Sequence, residues 1–480
     1  MNSVKKELIS GAAYTAIAKY SGLFVQLFIS AVLARLISPS DFGVVAIATV
    51  FIVFFNILSD IGIGPAIIQK KDLDNDDLNN IFSFTLYLGL FLSIIFIFCS
   101  WPISWFYSCE QLIRVCQLLG IPIFFYSLNI VPNGLLLRDK KFKYIAIRTL
   151  LSQIVSGGLA VICAFAGWGV YALLVNPILS SIIIFTLSYK AKPLKFSITF
   201  RLHSIKKIFS YSLFQFLFNF VNYFSRNIDK LLIGKFLGMV PLGYYDKSYR
   251  LMMLPLQNIN NVINPVLQPV FSDYQNDIEK LKGYYLKILK MLMWIAFPLT
   301  VIVFFVSKEL ILVFFGLQWE AAVPVFRILS TTICMQVLIS STGAIYQSVN
   351  ATRELFISGC WGAFILIMGF SIPIFLNGTI EAVAIGYVIS QLLNFLQCFY
   401  LLFGKIRYGL LDFLKVLSHP VLVSLIVSIS AFMIFSYLPI KDYFISLIFK
   451  VTVLSSIFFL YMLYKRIVSF KSIIKLIHKK

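Results

Sequence analysis

The chain predicts an all-α integral membrane protein of about fourteen transmembrane helices, and three observations carry that prediction. Of its 480 residues 60% are hydrophobic and only 13% charged, against about 45–50% apolar and about 25% charged in a soluble domain. Apolar runs of about 18 residues or more recur along the whole length, which favours helices over a β-barrel, whose strands alternate over about 10 residues. Lysine and arginine gather in every second connection between those runs, the distribution expected of a chain that crosses a membrane many times. No stretch has the length and polarity of a separate soluble domain.

Taken in order, the apolar stretches place spans at 10–37, 42–68, 80–107, 114–137, 145–166, 169–189, 208–237, 242–272, 284–306, 321–350, 354–376, 380–404, 418–438 and 443–464. Each can cross about 30 Å of hydrocarbon at about 1.5 Å per residue, several only when tilted. The first follows Lys5 and Lys6, contains Lys19 and continues past Leu36. That is too long and too polar for a cleaved signal sequence, so it reads as an uncleaved span. The basic connections are the N-terminus, 69–79, 138–148, 190–207, 273–290, 405–415 and the tail from Lys465. Those around Ser38–Asp41, Ser108–Gln111, Ala166–Gly169 and Asn377–Glu381 carry almost no positive charge, which puts both termini in the cytoplasm. Trp101, Trp105, Trp168 and Trp319 then fall at outer ends, where an interfacial aromatic belt is expected.

The net charge of +21 is accounted for by these cytoplasmic loops, and its distribution argues against a nucleic-acid partner. Seven cysteines, mostly inside apolar segments, read as small buried hydrophobes rather than a disulfide frame. Three histidines, His203, His419 and His478, lack metal-ligand spacing, so neither a metal site nor a cofactor is expected.

An internal repeat organises the spans. At an offset of about 200 residues "LARLISPSDFG", ending at Gly43, meets "LIGKFLGMVPLG", ending at Gly243; Pro65 meets Pro265 and Asp77 meets Asp277. Farther along, "YSCEQLIRVCQLLG" (107–120) meets "LQWEAAVPVFRILS" (317–330). Six spans are repeated, an even number, so both copies enter the membrane in the same direction, as in transporters that rock two bundles about a central site. The expected division is an N-lobe over 1–200, a C-lobe over 201–405, and two additional helices with a basic tail over 406–480.

Several spans carry polar residues at helical spacing. Gln215, Asn219, Asn222 and Arg226 share one face of the seventh; Arg250, Gln257, Asn261, Asn264 and Gln268 share one face of the eighth. Thr15, Lys19, Gln26 and Ser30 do the same in the first span, and Asn56 and Asp60 in the second. A charged group at the bilayer centre costs at least about 2.5–3.5 kcal/mol, so such stripes face a bundle interior or a water-filled cavity. Lys19 and Arg226 lie too deep in their spans to reach the interface by snorkelling. Asp229, Lys230, Asp246 and Lys247, near an outer helix end, fit structural neutralisation, with Asp229 against Arg250 or Lys247. Asp60, the one acid clearly inside a first-lobe span, fits helix packing as well as a cavity. Excess positive charge suits an anion, and a guanidinium suits phosphate. With rows of Asn, Gln, Ser and Tyr for hydroxyls and Phe-rich surroundings for a lipid tail, the residues point to a transporter of a large anionic amphiphile such as a phosphate-linked glycolipid. The candidate cavity residues are Lys19, Gln26, Asp60, Asn219, Asn222, Arg226, Arg250, Gln257 and Asn261.

"LARLISPSDFGVVAIATVFIVFFNILSDIGIGPAIIQ" (33–69) and "NIDKLLIGKFLGMVPLGYYDKSYRLMMLP" (227–255) resemble the bacterial polysaccharide exporters, Wzx-like flippases of the multidrug/oligosaccharidyl-lipid/polysaccharide superfamily. The resemblance covers roughly 10–405 and favours the branch handling colanic-acid-like or teichuronic-acid-like polymers. It implies MATE-like and MurJ-like six-helix lobes around a V-shaped cavity. It implies, too, that an undecaprenyl-pyrophosphate-linked oligosaccharide (an O-antigen, capsule or exopolysaccharide unit) passes to the outer leaflet of the inner membrane by alternating access. Basic cavity residues would hold the pyrophosphate, for which Lys19, Arg226 and Arg250 are the positions available here. Coupling to H+ or Na+, and a monomer working beside a polysaccharide polymerase and chain-length machinery, belong to the same implication. A cation-coupled multidrug exporter is the alternative within the superfamily, but it would place an acid where Lys19 stands. A membrane-embedded polymerase or ligase would need a long polar outer loop, and the outer connections are short, so a non-enzyme is expected.

Overall fold

Apolar length sets each helix, and turn chemistry sets where each stops. The computed structural model describes residues 2–60, 62–70, 73–197, 223, 226–272, 274–275, 277–376, 378–438 and 440–465; for 2–18, 262–266, 268–270, 272 and 352 it describes the backbone alone. Its helices are α1 (Asn2–Leu36), α2 (Pro39–Asp60), α3 (Ile63–Gln69), α4 (Asn75–Tyr107), α5 (Gln111–Arg138), α6 (Phe142–Phe165) and α7 (Val170–Ala191). After α8, described over 226–236, come α9 (Met239–Ser272), α10 (Ile278–Phe305), α11 (Ser307–Phe315), α12 (Ala322–Ser330), α13 (Ile333–Ser340), α14 (Thr342–Ser348), α15 (Thr352–Leu376), α16 (Ile380–Ile406), α17 (Leu410–Tyr437) and α18 (Tyr443–Tyr464). No strand occurs among the described residues, so the chain is an all-α membrane fold.

Among the described residues 11 helices are long and apolar enough to cross a membrane, or 12 with one bent pair counted as a single span. Fourteen were expected. The seventh expected span lies mostly outside the described residues. The eighth is α9, 34 residues long and so about 51 Å at 1.5 Å per residue, but its polar stripe keeps it out of the apolar count. Two spans expected to be continuous are broken. The stretch 42–68 divides into α2 and α3 at Gly62, whose φ of +74° is open to glycine at little cost. The stretch 321–350 divides into α12, α13 and α14, with a 44° bend between Ala322–Ser330 and Ile333–Ser348. There the hydroxyls of Thr331, Thr332 and Ser341 donate to carbonyls three residues earlier at 2.7 Å, in competition with the helix ladder.

The chain forms two compact units, Met1–Gly243 and Tyr244–Lys480, so their boundary falls inside α9. In the first unit, Ile63 and Ile67 of α3, Leu78 and Phe82 of α4, and Leu128 and Leu135 of α5 make one core. Ile29 and Leu33 of α1 pack on Ala160 and Ala164 of α6. The Asp74 carboxylate accepts from the Asp77 amide at 2.6 Å and so caps α4. In the second unit, Trp294 and Val301 of α10 meet Val423 and Val427 of α17 and Leu454 and Phe458 of α18. Buried Glu309 of α11 accepts from Ser446 and Lys450 of α18 at 2.8 and 2.5 Å, which fastens the last helix to this unit.

The repeat is visible at one corner in atomic detail. Where α1 turns into α2, the Ile37 amide donates to Leu33 O at 3.0 Å and the Phe42 amide to Ser38 O at 3.3 Å. Where α8 turns into α9, the Leu237 amide donates to Ile233 O at 2.8 Å and the Leu242 amide to Gly238 O at 3.3 Å. Every member of the second set stands 200 positions after its counterpart in the first.

Candidate functional site

A polar side chain on a long apolar helix informs only when its surroundings are known. Arg250, Gln257 and Asn261 are all exposed on α9, and their spacing of seven and four residues keeps them on one face. Lys19 and Gln26, seven residues apart on α1, are exposed too. Phe24 and Phe28 of the same helix are about 70% exposed, so α1 offers hydrocarbon beside its amide and ammonium. On α6, Gln153 approaches α1 at Gly22, and its Oε1 is buried with no hydrogen-bond partner among the described residues.

The charges are compensated unevenly. Arg250 Nε donates to Asp246 Oδ2 at 2.6 Å; the arginine side chain stays 54% exposed while the aspartate is buried. Asp246, one turn back, is thus a partner of Arg250, and Asp229, near the same end of the helices, is buried. Lys247 is buried, its ammonium 5.3 Å from the Phe315 ring and 5.9 Å from the Trp319 ring. Arg226 opens the described part of α8 and is exposed. Among the described residues no acid pairs with Arg226 or Lys19. Asn219 and Asn222 lie outside the described residues.

Asp60 ends α2, and its Oδ1 accepts from the Gly64 amide at 3.0 Å, bridging the break into α3. That is a structural task, whatever else the carboxylate meets. One turn earlier, Asn56 Oδ1 is buried with no hydrogen-bond partner among the described residues. Near α8, the Tyr223 hydroxyl donates to Val50 O of α2 at 2.5 Å.

Three features escaped the sequence. Trp319, expected at the interface, is fully buried between Phe315 and Tyr244, each at 5.9 Å; Trp101, Trp105 and Trp168 are exposed. Arg148 of α6 is buried, donating to Asn133 Oδ1 of α5 at 3.0 Å and to Ser188 of α7. Glu309 meets Lys450 across 141 residues of sequence; the lysine inside an apolar span was the available signal. Among the described residues no three His, Cys, Asp or Glu side chains gather as metal ligands do.

This arrangement presents cations and amides along helix faces. Comparison with known proteins fits it. A family model described as "Polysaccharide biosynthesis protein" matches residues 32–324. The teichuronic acid biosynthesis protein TuaB of Bacillus subtilis (strain 168) is 26% identical over 440 residues, covering 90% of each chain. The lipopolysaccharide biosynthesis protein WzxC of Escherichia coli (strain K12) is 24% identical over 409 residues, covering 83% of this chain and 82% of its own. Among solved structures, the lipid II flippase MurJ in an inward closed conformation has a TM-score of 0.73 at 17% identity, with 95% of this chain and 99% of that one covered. An inward-facing multidrug resistance MATE transporter has a TM-score of 0.63 at 19% identity, with 80% and 94% covered. At such identities these two structures share the fold.

Proposed function

Because the chain belongs to the polysaccharide biosynthesis protein family, we propose that it carries a polyprenyl-pyrophosphate-linked oligosaccharide from the inner to the outer leaflet of a bacterial cytoplasmic membrane. The observation that carries this reading is the exposed stripe Arg250–Gln257–Asn261 on α9. Such a face cannot rest against lipid without the cost of an exposed charge in hydrocarbon. It needs water or a polar ligand.

The ligand's chemistry follows from the residue types. A planar guanidinium matches phosphate oxygens through paired donors, and an ammonium adds a point charge. Arg250, Arg226 and Lys19 supply these cations, with Arg250 tempered by Asp246. Amides at Gln257, Asn261 and Gln26 can both donate and accept, as sugar hydroxyls require. Exposed Phe24 and Phe28 suit a polyprenyl chain. Alternation between inward and outward access moves such a substrate without making or breaking covalent bonds. Both termini are assigned to the cytoplasm by the loop charges, and a polymerase on the outer side is the expected consumer of the product.

The test is reconstitution with a labelled polyprenyl-pyrophosphate oligosaccharide, scoring the leaflet it occupies. Translocation without elongation of the sugar is expected. Lys19→Ala and Arg226→Ala should each stop surface-polymer display while the protein still reaches the membrane. Polymerised product, or efflux of cationic drugs in place of lipid movement, overturns the reading.

A further inference from the structure

A buried hydrogen-bond acceptor with no donor costs stability, so such an atom marks a bond made in another state or with a ligand. Gln153 of α6 carries one, for its Oε1 is buried with no hydrogen-bond partner among the described residues. Its polar neighbours on α6 are engaged. Ser152 donates to Ser180 O of α7 at 3.3 Å, and Ser156 to Asn176 Oδ1 of α7 at 2.7 Å. Those serines meet α7, whereas Gln153 reaches α1.

The contact exists because residue 22 is a glycine. A Cβ built there would lie 2.6 Å from Gln153 Oε1, so any side chain at that position pushes the amide aside. Gly22 is buried, while Lys19 and Gln26 of the same helix are exposed. At about 3.6 residues per turn, positions 19, 22 and 26 lie within about 60° of one another around α1. Helical side chains lean toward the N-terminus, so the spot over a residue is covered by one that follows it. The spot over Gly22 therefore belongs to Gln26, one turn later, and Lys19 leans away from it.

An amide relays a hydrogen bond, since its N–H donates more strongly when its oxygen accepts. A phosphate oxygen only accepts, so it would take the Gln26 Nε2 donor for itself. A sugar hydroxyl can donate to Gln26 Oε1 and leave Nε2 for Gln153. Resting on the flippase reading above, we propose that Gln153 is a positioning residue for the glycan. When a sugar hydroxyl donates to Gln26 Oε1, Gln26 Nε2 donates to Gln153 Oε1, and the relay holds that sugar beside the pyrophosphate at Lys19.

The orphaned oxygen gives the test its sign. Methionine has the length of glutamine without its amide, so Gln153→Met removes the uncompensated acceptor from the unliganded protein. It should raise the melting temperature of the full chain in lipid nanodiscs by about one degree or more, whereas loss of a purely structural hydrogen bond would lower it. On the same samples, binding of polyprenyl-pyrophosphate-linked glucose should weaken about fivefold, and binding of bare polyprenyl pyrophosphate should not change. Gln26→Met should weaken the glucosylated lipid at least as much, and the double substitution no more than Gln26→Met alone. Gly22→Ala, which displaces the Gln153 amide, should show the same selective loss. Gly158→Ala, where an added Cβ meets nothing within 4 Å, should show none. A lower melting temperature for Gln153→Met, equal weakening for both lipids, or losses that add in the double variant overturns the proposal. Wild-type protein that binds neither lipid refutes the flippase reading and the role of Gln153 with it. Wild-type protein that binds both, with Gln153→Met unchanged, refutes that role alone.

Discussion

Arg250 illustrates how one side chain can meet two demands, an ion pair with Asp246 and the proposed contact with substrate. Its ion pair with Asp246 lowers the cost of keeping a guanidinium on a membrane helix, while more than half of the side chain remains open to a ligand. Arg250→Ala should therefore slow translocation by about tenfold or more, since a charged hydrogen bond is worth about 1.5–3 kcal/mol and about 1.4 kcal/mol is a factor of ten. Arg250→Lys should retain part of the rate, because charge survives and the planar fork does not. Rates in proteoliposomes check both. The spacing of Arg250, Gln257 and Asn261 was legible because helical phase is local. The burial of Trp319 was not, because it depends on Tyr244 and Lys247 of a helix far back in the chain. Loop position alone could only place the indole at a helix end.

Single elements were legible where apolar length governs them. The expected span 380–404 appears as Ile380–Ile406. They were less legible where backbone chemistry interrupts an apolar run, as at Gly62 and at Thr331–Thr332, since composition there is still that of a continuous span. Long-range pairs were the least legible. Glu309 falls between the expected spans 284–306 and 321–350, yet it is buried against α18, its Oε2 without a hydrogen-bond partner among the described residues. Removing one member of such a pair strands the other, so Glu309→Gln or Lys450→Met alone should cost about 3–5 kcal/mol. The double substitution should recover much of that loss. Thermal unfolding of the purified protein checks this, and equal destabilisation by all three variants would exclude a coupled pair.

At the scale of the whole molecule, the distribution of charge among loops is the feature most directly read from sequence. It predicts that a fluorescent protein fused after Lys480 folds and glows inside the cell, and that a reporter inserted near Trp168 is exported. Fractionated reporter activity checks both, and the opposite pattern would reverse the orientation of every helix. The shared fold with MurJ at 17% identity shows what such proteins have in common: apolar lengths and their order, with few residues in common. That is why the fold class was legible from apolar lengths, while α9, a long helix with a polar face, does not count among the helices recognised by apolarity.

The corner shared by α1–α2 and α8–α9, where a Cβ on Gly43 would run into the Met239 carbonyl and one on Gly243 into the Pro39 carbonyl, bears on ancestry. A surface that fits its own copy is what two separate, half-length chains need in order to pair about a two-fold axis. Fusing two such genes end to end would retain that pairing inside one polypeptide, and each half would then be free to diverge everywhere except where its backbone touches its twin. Lys19 and Asn219, or Gln26 and Arg226, are positions where that divergence has gone far. Gly43 and Gly243 are where it has not.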